Sequence, residues 1–144
     1  MQMKVLPNHI YQMDILEGIK YLPDKSIKTI IADPPYFLGM THNGQKGSFV
    51  DLAICAPFFS QLFAQFKRVL QDDGEVFFFC DFRSYAFFYP IFNSVLKQKN
   101  LIVWDKGNMA GNHYNFSHEF IIFGTKEGCN INRGGSNVWK KRRV

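Results

Sequence analysis

Residues 31–38 read IADPPYFL, an apolar run that ends in an acid, two prolines, a tyrosine and a second aromatic. The stretch begins upstream with KTIIAD (28–33), a continuous β-branched run of the kind that forms a strand buried on both faces. In open α/β sheets ligands sit outside the carboxyl ends of the strands, and this strand carries its polar residues at that end. Asp33 is expected to aim a carboxylate into the crevice. Pro34 and Pro35 lack N–H donors and hold φ near about −65°, so they make a stiff turn whose carbonyls are free to accept from a ligand. Tyr36 adds a flat face.

A carboxylate acceptor, a carbonyl acceptor and a stacking ring together match an amino group on a planar heterocycle. The exocyclic nitrogen of adenine or cytosine is a poor nucleophile because its lone pair is delocalised into the ring. Two preorganised acceptors holding its hydrogens draw it toward a tetrahedral nitrogen and free that lone pair for attack. A base inside a duplex is out of reach of such a site unless it is flipped out and stacked on an aromatic face.

Around this strand the chain alternates strands and helices. NHIYQMD (8–14) reads as a short strand, and ILEGIKYLPDKSI (15–27) as a helix that Pro23 ends. GMTHNGQKGS (39–48) reads as an exposed loop. Over 57–70, PFFSQLFAQFKRVL places its apolar residues on one helical stripe, with Pro57 suited to the first helical position. DDG (72–74) reads as a turn and EVFFFC (75–80) as a second buried strand. SYAFFYPIFNSVLK (84–97) reads as a helix that Pro90 should kink or restart. LIVWDK (101–106) and HEFIIFGTK (118–126) are two more strands, predicted to be antiparallel because an 11-residue link without a helix suits a hairpin. The pattern predicts a three-layer α/β domain.

At 144 residues, 47% hydrophobic and 20% charged, the chain suits a single domain with a real core. It shows no secretory h-region and no apolar run long enough to span a membrane, so a cytoplasmic protein is expected. Cys55, Cys80 and Cys129 share no metal-like spacing and read as reduced thiols. His42 and His113 lie in separate loops, and neither a metal site nor a phosphate-binding glycine motif is expected. The net charge is +5, with Lys140, Lys141, Arg142 and Arg143 together at the end. These basic residues suit either a polyanion such as nucleic acid or a solubilising tail, and 134–144 is expected to be flexible.

DPPY (33–36) resembles the catalytic motif of amino-group DNA methyltransferases, which methylate adenine N6 or cytosine N4 with S-adenosylmethionine. The flanks resemble the same family: IYQMDILEGIKYLPDKSIKTIIADPPYFLG (10–39), DDGEVFFFCDFRSY (72–85) and LIVWDKGNMAGNHYNFSHEFIIFGTK (101–126). The resemblance covers about 120 residues and implies a Rossmann-like sheet with a late antiparallel hairpin. It implies a catalytic role for Asp33, Pro34, Pro35 and Tyr36, with Asp33 and Pro34 gripping the amino group and Tyr36 stacking on the base. Asp14 corresponds to an acid near the cofactor's adenine, with helix capping as the alternative, and Asp33 also lies at the cofactor site. Asp105, Lys106, Asn108, Asn112, His113 and Tyr114 would lie at the rim that holds double-stranded DNA, with the basic residues 140–143 as further DNA contacts. His118 and Glu119 would brace the loop. Carbon methylation is poorly served, because neither Cys55 nor Cys80 sits in a proline–cysteine context.

The resemblance is incomplete. In the family a strand ending in a glycine-rich turn holds the methionine part of the cofactor, and here the late glycine cluster NRGGSN (132–137) has no apolar strand before it. The missing strands would lie between the strand before Asp14 and the strand ending at Asp33. Their absence either pairs those two strands or leaves TIIAD as an edge that invites another chain. Self-association or a complementing polypeptide is therefore expected. The alternatives are an inactive remnant and a non-catalytic basic DNA-binding module.

Overall fold

The computed structural model describes residues 4–35, 41–42, 45–46, 52–107, 114–115, 117–126 and 134–140. Its elements in chain order are α1 (Ile15–Gly18), a tight helical turn at Ile19–Tyr21, β1 (Ile27–Ala32), β2 (Thr41–His42), β3 (Gln45–Lys46), α2 (Leu52–Val69), β4 (Leu70–Cys80), α3 (Phe82–Val95), β5 (Lys97–Asp105), β6 (His118–Thr125) and β7 (Val138–Lys140). Five strands form one sheet in the order β1-β4-β6-β5-β7, and β2 pairs with β3 apart from it. β1 and β4 are parallel, while β6 runs antiparallel to both β4 and β5. The expected late hairpin is thus present.

The core lies between this sheet and α2 with α3. Val76, Phe78 and Cys80 alternate along β4 to face the helices, and Phe59, Phe63, Phe88 and Phe92 come down from α2 and α3. The rings meet edge to face: Phe59 and Phe88 at 4.7 Å, Phe78 and Phe88 at 4.8 Å, Phe63 and Phe78 at 5.1 Å between centroids. That geometry sets the positive edge of one ring against the negative face of the next. Much of the unusual phenylalanine content is used here. Gly124 in β6 leaves room for it, since a Cβ there would sit 2.5 Å from Cε1 of Phe92.

On the sheet's other face the described residues place no helix. Phe77 meets Phe123 at 5.1 Å and Trp139 at 6.2 Å, and Phe79 meets Trp104 at 6.2 Å. Ile121 is buried on this side as well.

Several local readings are corrected. Residues 8–14 form no strand; the chain turns at Pro7–Asn8, where Asn8 takes a φ of 62°. α2 begins at Leu52, so Pro57 lies inside it rather than at its start. α3 begins at Phe82 and runs through Pro90 to Val95. DDG is not a turn between elements but part of β4: Ile27 faces Leu70 and Thr29 faces Glu75, so two steps of β1 span five of β4 and residues 71–74 bulge out. The loop expected over 39–48 includes the β2–β3 ladder, and its other residues lie outside those described. Val138–Lys140, read as part of the basic tail, pairs in parallel with β5.

Candidate functional site

Because β1 and β4 are parallel and β6 runs against them, one end of the sheet gathers the ends of β1, β4 and β5 with the start of β6. Asp33 and Pro34 follow β1, Asp81 follows β4, and Asp105 at the end of β5 pairs with His118 at the start of β6. This is the carboxyl end of the parallel strands, where α/β sheets place ligands. Asp33 and Pro35 are exposed and Pro34 is half-buried. Tyr36, the stacking candidate, lies outside the described residues.

The entry segment is tied to the helices by Arg68, near the end of α2. Its Nη1 donates to the Leu22 carbonyl (2.9 Å) and to Asp24 Oδ1 (2.6 Å), and its Nη2 donates to the Ile19 carbonyl (2.9 Å). It thereby holds the end of the helical turn, where the Ile19 carbonyl also accepts from the Leu22 backbone N–H (3.1 Å). Asp14 caps α1: its Oδ1 accepts from the backbone N–H of Leu16 (2.8 Å) and of Glu17 (3.3 Å). The capping alternative for Asp14 is therefore realised.

At the end of β5, where the rim for DNA is expected, Lys106 pairs with Glu119 at 2.5 Å, both side chains about four-fifths buried, and its Nζ stands 6.0 Å from the Trp104 ring centroid. Its backbone N–H donates to the Ser117 carbonyl (2.7 Å), and Asp105 Oδ1 accepts from Gly107 N–H (2.9 Å). Lys106, Asp105 and Glu119 thus close the base of the 107–117 loop. Tyr114 is 90% exposed on that loop, and Lys140 is exposed in β7 opposite Asp105. Asn108, Asn112, His113, Lys141, Arg142 and Arg143 lie outside the described residues.

Two features of this end were missed from sequence. Asp81 caps α3, its Oδ1 accepting from Ser84 N–H (2.7 Å) and Ser84 Oγ (2.6 Å). Phe82 beside it is 51% exposed, with the Arg83 guanidinium 5.2 Å from its centroid. An acid followed three residues later by serine was the available signal for the cap. Cys80, next to Asp81, is buried, and its thiol is pushed up to about 12, by burial first and by the Asp81 and Glu119 charges second. A thiol so held is no nucleophile. Among the described residues no group of three or more His, Cys, Asp or Glu side chains is placed to hold a metal ion.

Beside Asp14, a cleft of about 370 Å³ opens between the N-terminal segment and β1, with Tyr11, Met13 and Ile15 on one wall, Thr29 and Ile31 on the other, and Phe66 and Val69 at its base. S-adenosylmethionine is a poor match for it. The cofactor's ammonium, carboxylate, sulfonium and ribose need polar partners, and this lining is largely apolar. Gly134 and Gly135 take positive φ of 62° and 96° and lead into β7. Asp14 and Asp33 flank the region, and the described residues supply no cradle for the methionine part.

A family described as DNA methylase (N6_N4_Mtase) matches residues 27–142. The type II methyltransferase M.HinfI of Haemophilus influenzae is 27% identical over 144 residues, spanning 88% of this chain and 40% of its own. The DNA adenine methyltransferase YhdJ of Escherichia coli K12 is 26% identical, spanning 87% of this chain and 43% of its own. The chain therefore spans less than half the length of these relatives. Among solved structures, the cytosine-N4-specific PvuII DNA methyltransferase superposes with a TM-score of 0.69 at 12% identity, over 93% of this chain and 57% of that one. TTHA0409 of Thermus thermophilus, solved in complex with S-adenosyl-L-methionine, gives 0.65 at 16% identity, over 87% and 65%. These likenesses carry the fold, an incomplete Rossmann-like α/β sheet, and the match over 27–142 carries the family: the chain belongs to the DNA methylases.

Proposed function

We propose that the chain is the target-base half of an amino-group DNA methyltransferase, acting on adenine N6 or cytosine N4 of a base flipped out of double-stranded DNA. The observation that carries the reading is the position of Asp33 and Pro34, directly after β1 at the carboxyl end of a sheet shared with known DNA methyltransferases. Asp33 accepts one N–H of the target amino group and the Pro34 carbonyl accepts the other. Tyr36 stacks on the base, and the 107–117 loop with Lys140–Arg143 holds the duplex. Acceptors fixed in advance favour the nitrogen lone pair's release without reorganisation in the transition state.

S-adenosylmethionine supplies the methyl group in this chemistry. A complementing polypeptide, or a second copy in a self-associated form, provides the rest of its site. No described helix is long and apolar enough to cross a membrane, and a DNA substrate suits an enzyme of the cytoplasm.

Calorimetric titration of S-adenosylmethionine into the chain and its Asp33→Ala variant, followed by labelled methyl transfer to duplex DNA, tests the reading. Methyl on adenine N6 or cytosine N4, lost by about a hundredfold or more in Asp33→Ala, is the expected result for the assembled site. Salt-dependent DNA binding alone, equal in both proteins and without transfer, would identify a basic binding module instead.

A further inference from the structure

We propose that a row of aromatic rings, running from Tyr89 on α3 to His118 at the start of β6, is a second DNA-contacting surface on which unpaired bases beside the target base stack. This rests on the reading above for DNA as the partner, and it adds a surface outside the Asp33 site.

Phe82, Tyr85 and Tyr89 fall at i, i+3 and i+7 of α3, on one stripe of the helix. A stripe of rings at this spacing is ordinarily core, yet Phe82 is 51% and Tyr89 43% exposed, and Tyr85 is half-buried. Tyr85 meets Tyr89 at 5.8 Å and Phe120 of β6 at 5.8 Å, and Phe120 meets the exposed His118 at 5.2 Å between ring centroids. Four rings thus make a continuous path from the flank of α3 to the sheet end that carries Asp33. Gln98 of β5 donates from Nε2 to the Tyr85 hydroxyl (3.2 Å) and fixes the middle of the path. Cys80 of β4 pairs with Phe120, and Pro34 follows β1 on the other side of β4. The row and the motif therefore lie two strand spacings, about 10 Å, apart. That is about three nucleotides along one strand.

The charges of this corner favour a polyanion over a protein. The Arg83 guanidinium stands 5.2 Å from the Phe82 centroid. Lys140 lies on the same side of the sheet as Phe120, because Phe120 and Val138 both pair with Val103 and strand side chains alternate. The two acids at the strand ends here are turned to backbone donors: Asp81 accepts from Ser84 N–H (2.7 Å) and Asp105 from Gly107 N–H (2.9 Å). Exposed rings with cations beside them are the composition of single-strand binding surfaces, where bases stack on the rings and basic groups meet the phosphates. Every base offers a flat face, so such a row reads no sequence. Its use is to hold the strand whose target base is turned out.

The test is the fluorescence anisotropy of a labelled oligothymidine of about twelve nucleotides, titrated with the 144-residue chain. Wild type should bind it with an affinity that falls as salt rises. Tyr89→Ala and Phe82→Ala, both at exposed positions, should each weaken binding about tenfold while thermal unfolding stays cooperative. Tyr89→Phe should bind as wild type does, because the ring and not the hydroxyl makes the contact. The same oligonucleotide carrying 5-iodouracil should photo-crosslink within residues 82–89 or 118–120. Asp33→Ala should keep both the affinity and the crosslink, so the row and the amino-group site fail separately. Equal affinity in wild type, Tyr89→Ala and Phe82→Ala would overturn the proposal and leave the Asp33 reading standing. A loss in Tyr89→Phe as large as in Tyr89→Ala would overturn it too. Absence of binding at millimolar protein would overturn it outright, and self-association lost in Tyr89→Ala would then identify the row as a protein contact.

Discussion

Cys80 ends β4 beside the sheet end that carries Asp33, yet burial and two neighbouring carboxylates hold its thiol up to about 12. Because this pKa is raised, the group stays a protonated thiol throughout the neutral range. In a Cys129→Ser background, a disulfide reagent at about pH 8 should therefore leave Cys80 and the buried Cys55 unmodified in the native protein and modify both after unfolding. Rapid native modification of Cys80 would contradict its burial. The residue scale also shows why Asp14 resists assignment from sequence. An aspartate before a helix serves equally as a cap or a ligand, and only the 2.8 Å acceptance from Leu16 N–H reveals the first use.

At the level of elements, the bulge of β4 forms a clasp on β1. Asp72 accepts from Lys25 (2.9 Å) and pairs with the buried Lys126 (3.2 Å), while Asp73 pairs with Lys28. Hydrogen bonds from Lys25 and Lys126 hold the Asp72 carboxyl below its ordinary 3.8, and Lys28 does the same for Asp73. A carboxyl depressed in the fold contributes stability that is present above its unfolded value and lost as pH falls through the folded one. Wild type should therefore melt slightly above Asp72→Asn at neutral pH. The two should converge as pH falls below 3.8 through the native value. These carboxylates are solvent-exposed, so the difference should be small and should shrink with salt. A gap that widened in acid would rule the clasp out. Sequence read these residues as a turn because Asp-Asp-Gly has turn chemistry; that they interrupt a strand depends on the register against β1.

For the whole molecule, Phe78 joins the layers, since it lies near the end of β4 and its ring meets Phe59 and Phe63 of α2 and Phe88 and Phe92 of α3. Phe78→Ala should cost about 3–5 kcal/mol in denaturant unfolding. A loss below about 1 kcal/mol would mean that the helices do not rest on this strand. The predicted α/β alternation is present, and its described helices gather on one face of the sheet. Repeating patterns of apolar residues establish that an element has a buried face, but they do not say which face of the sheet it joins.

The sequence by itself determined that a strand ends in Asp33-Pro34-Pro35, that helices follow the strands, and that a late pair of strands is antiparallel. These follow from short-range causes: β-branched runs, proline's missing donor, and a link too short for a helical crossover. Tertiary structure alone decided that residues 8–14 form no strand, that Lys106 is held by Glu119, that Arg68 ties the entry segment to α2, and, of the two outcomes expected for TIIAD, that β1 is an edge among the described strands, beside an apolar cleft. Each of these depends on which distant residue arrives as a neighbour, and strand pairing and burial are set by those long-range contacts rather than by local pattern.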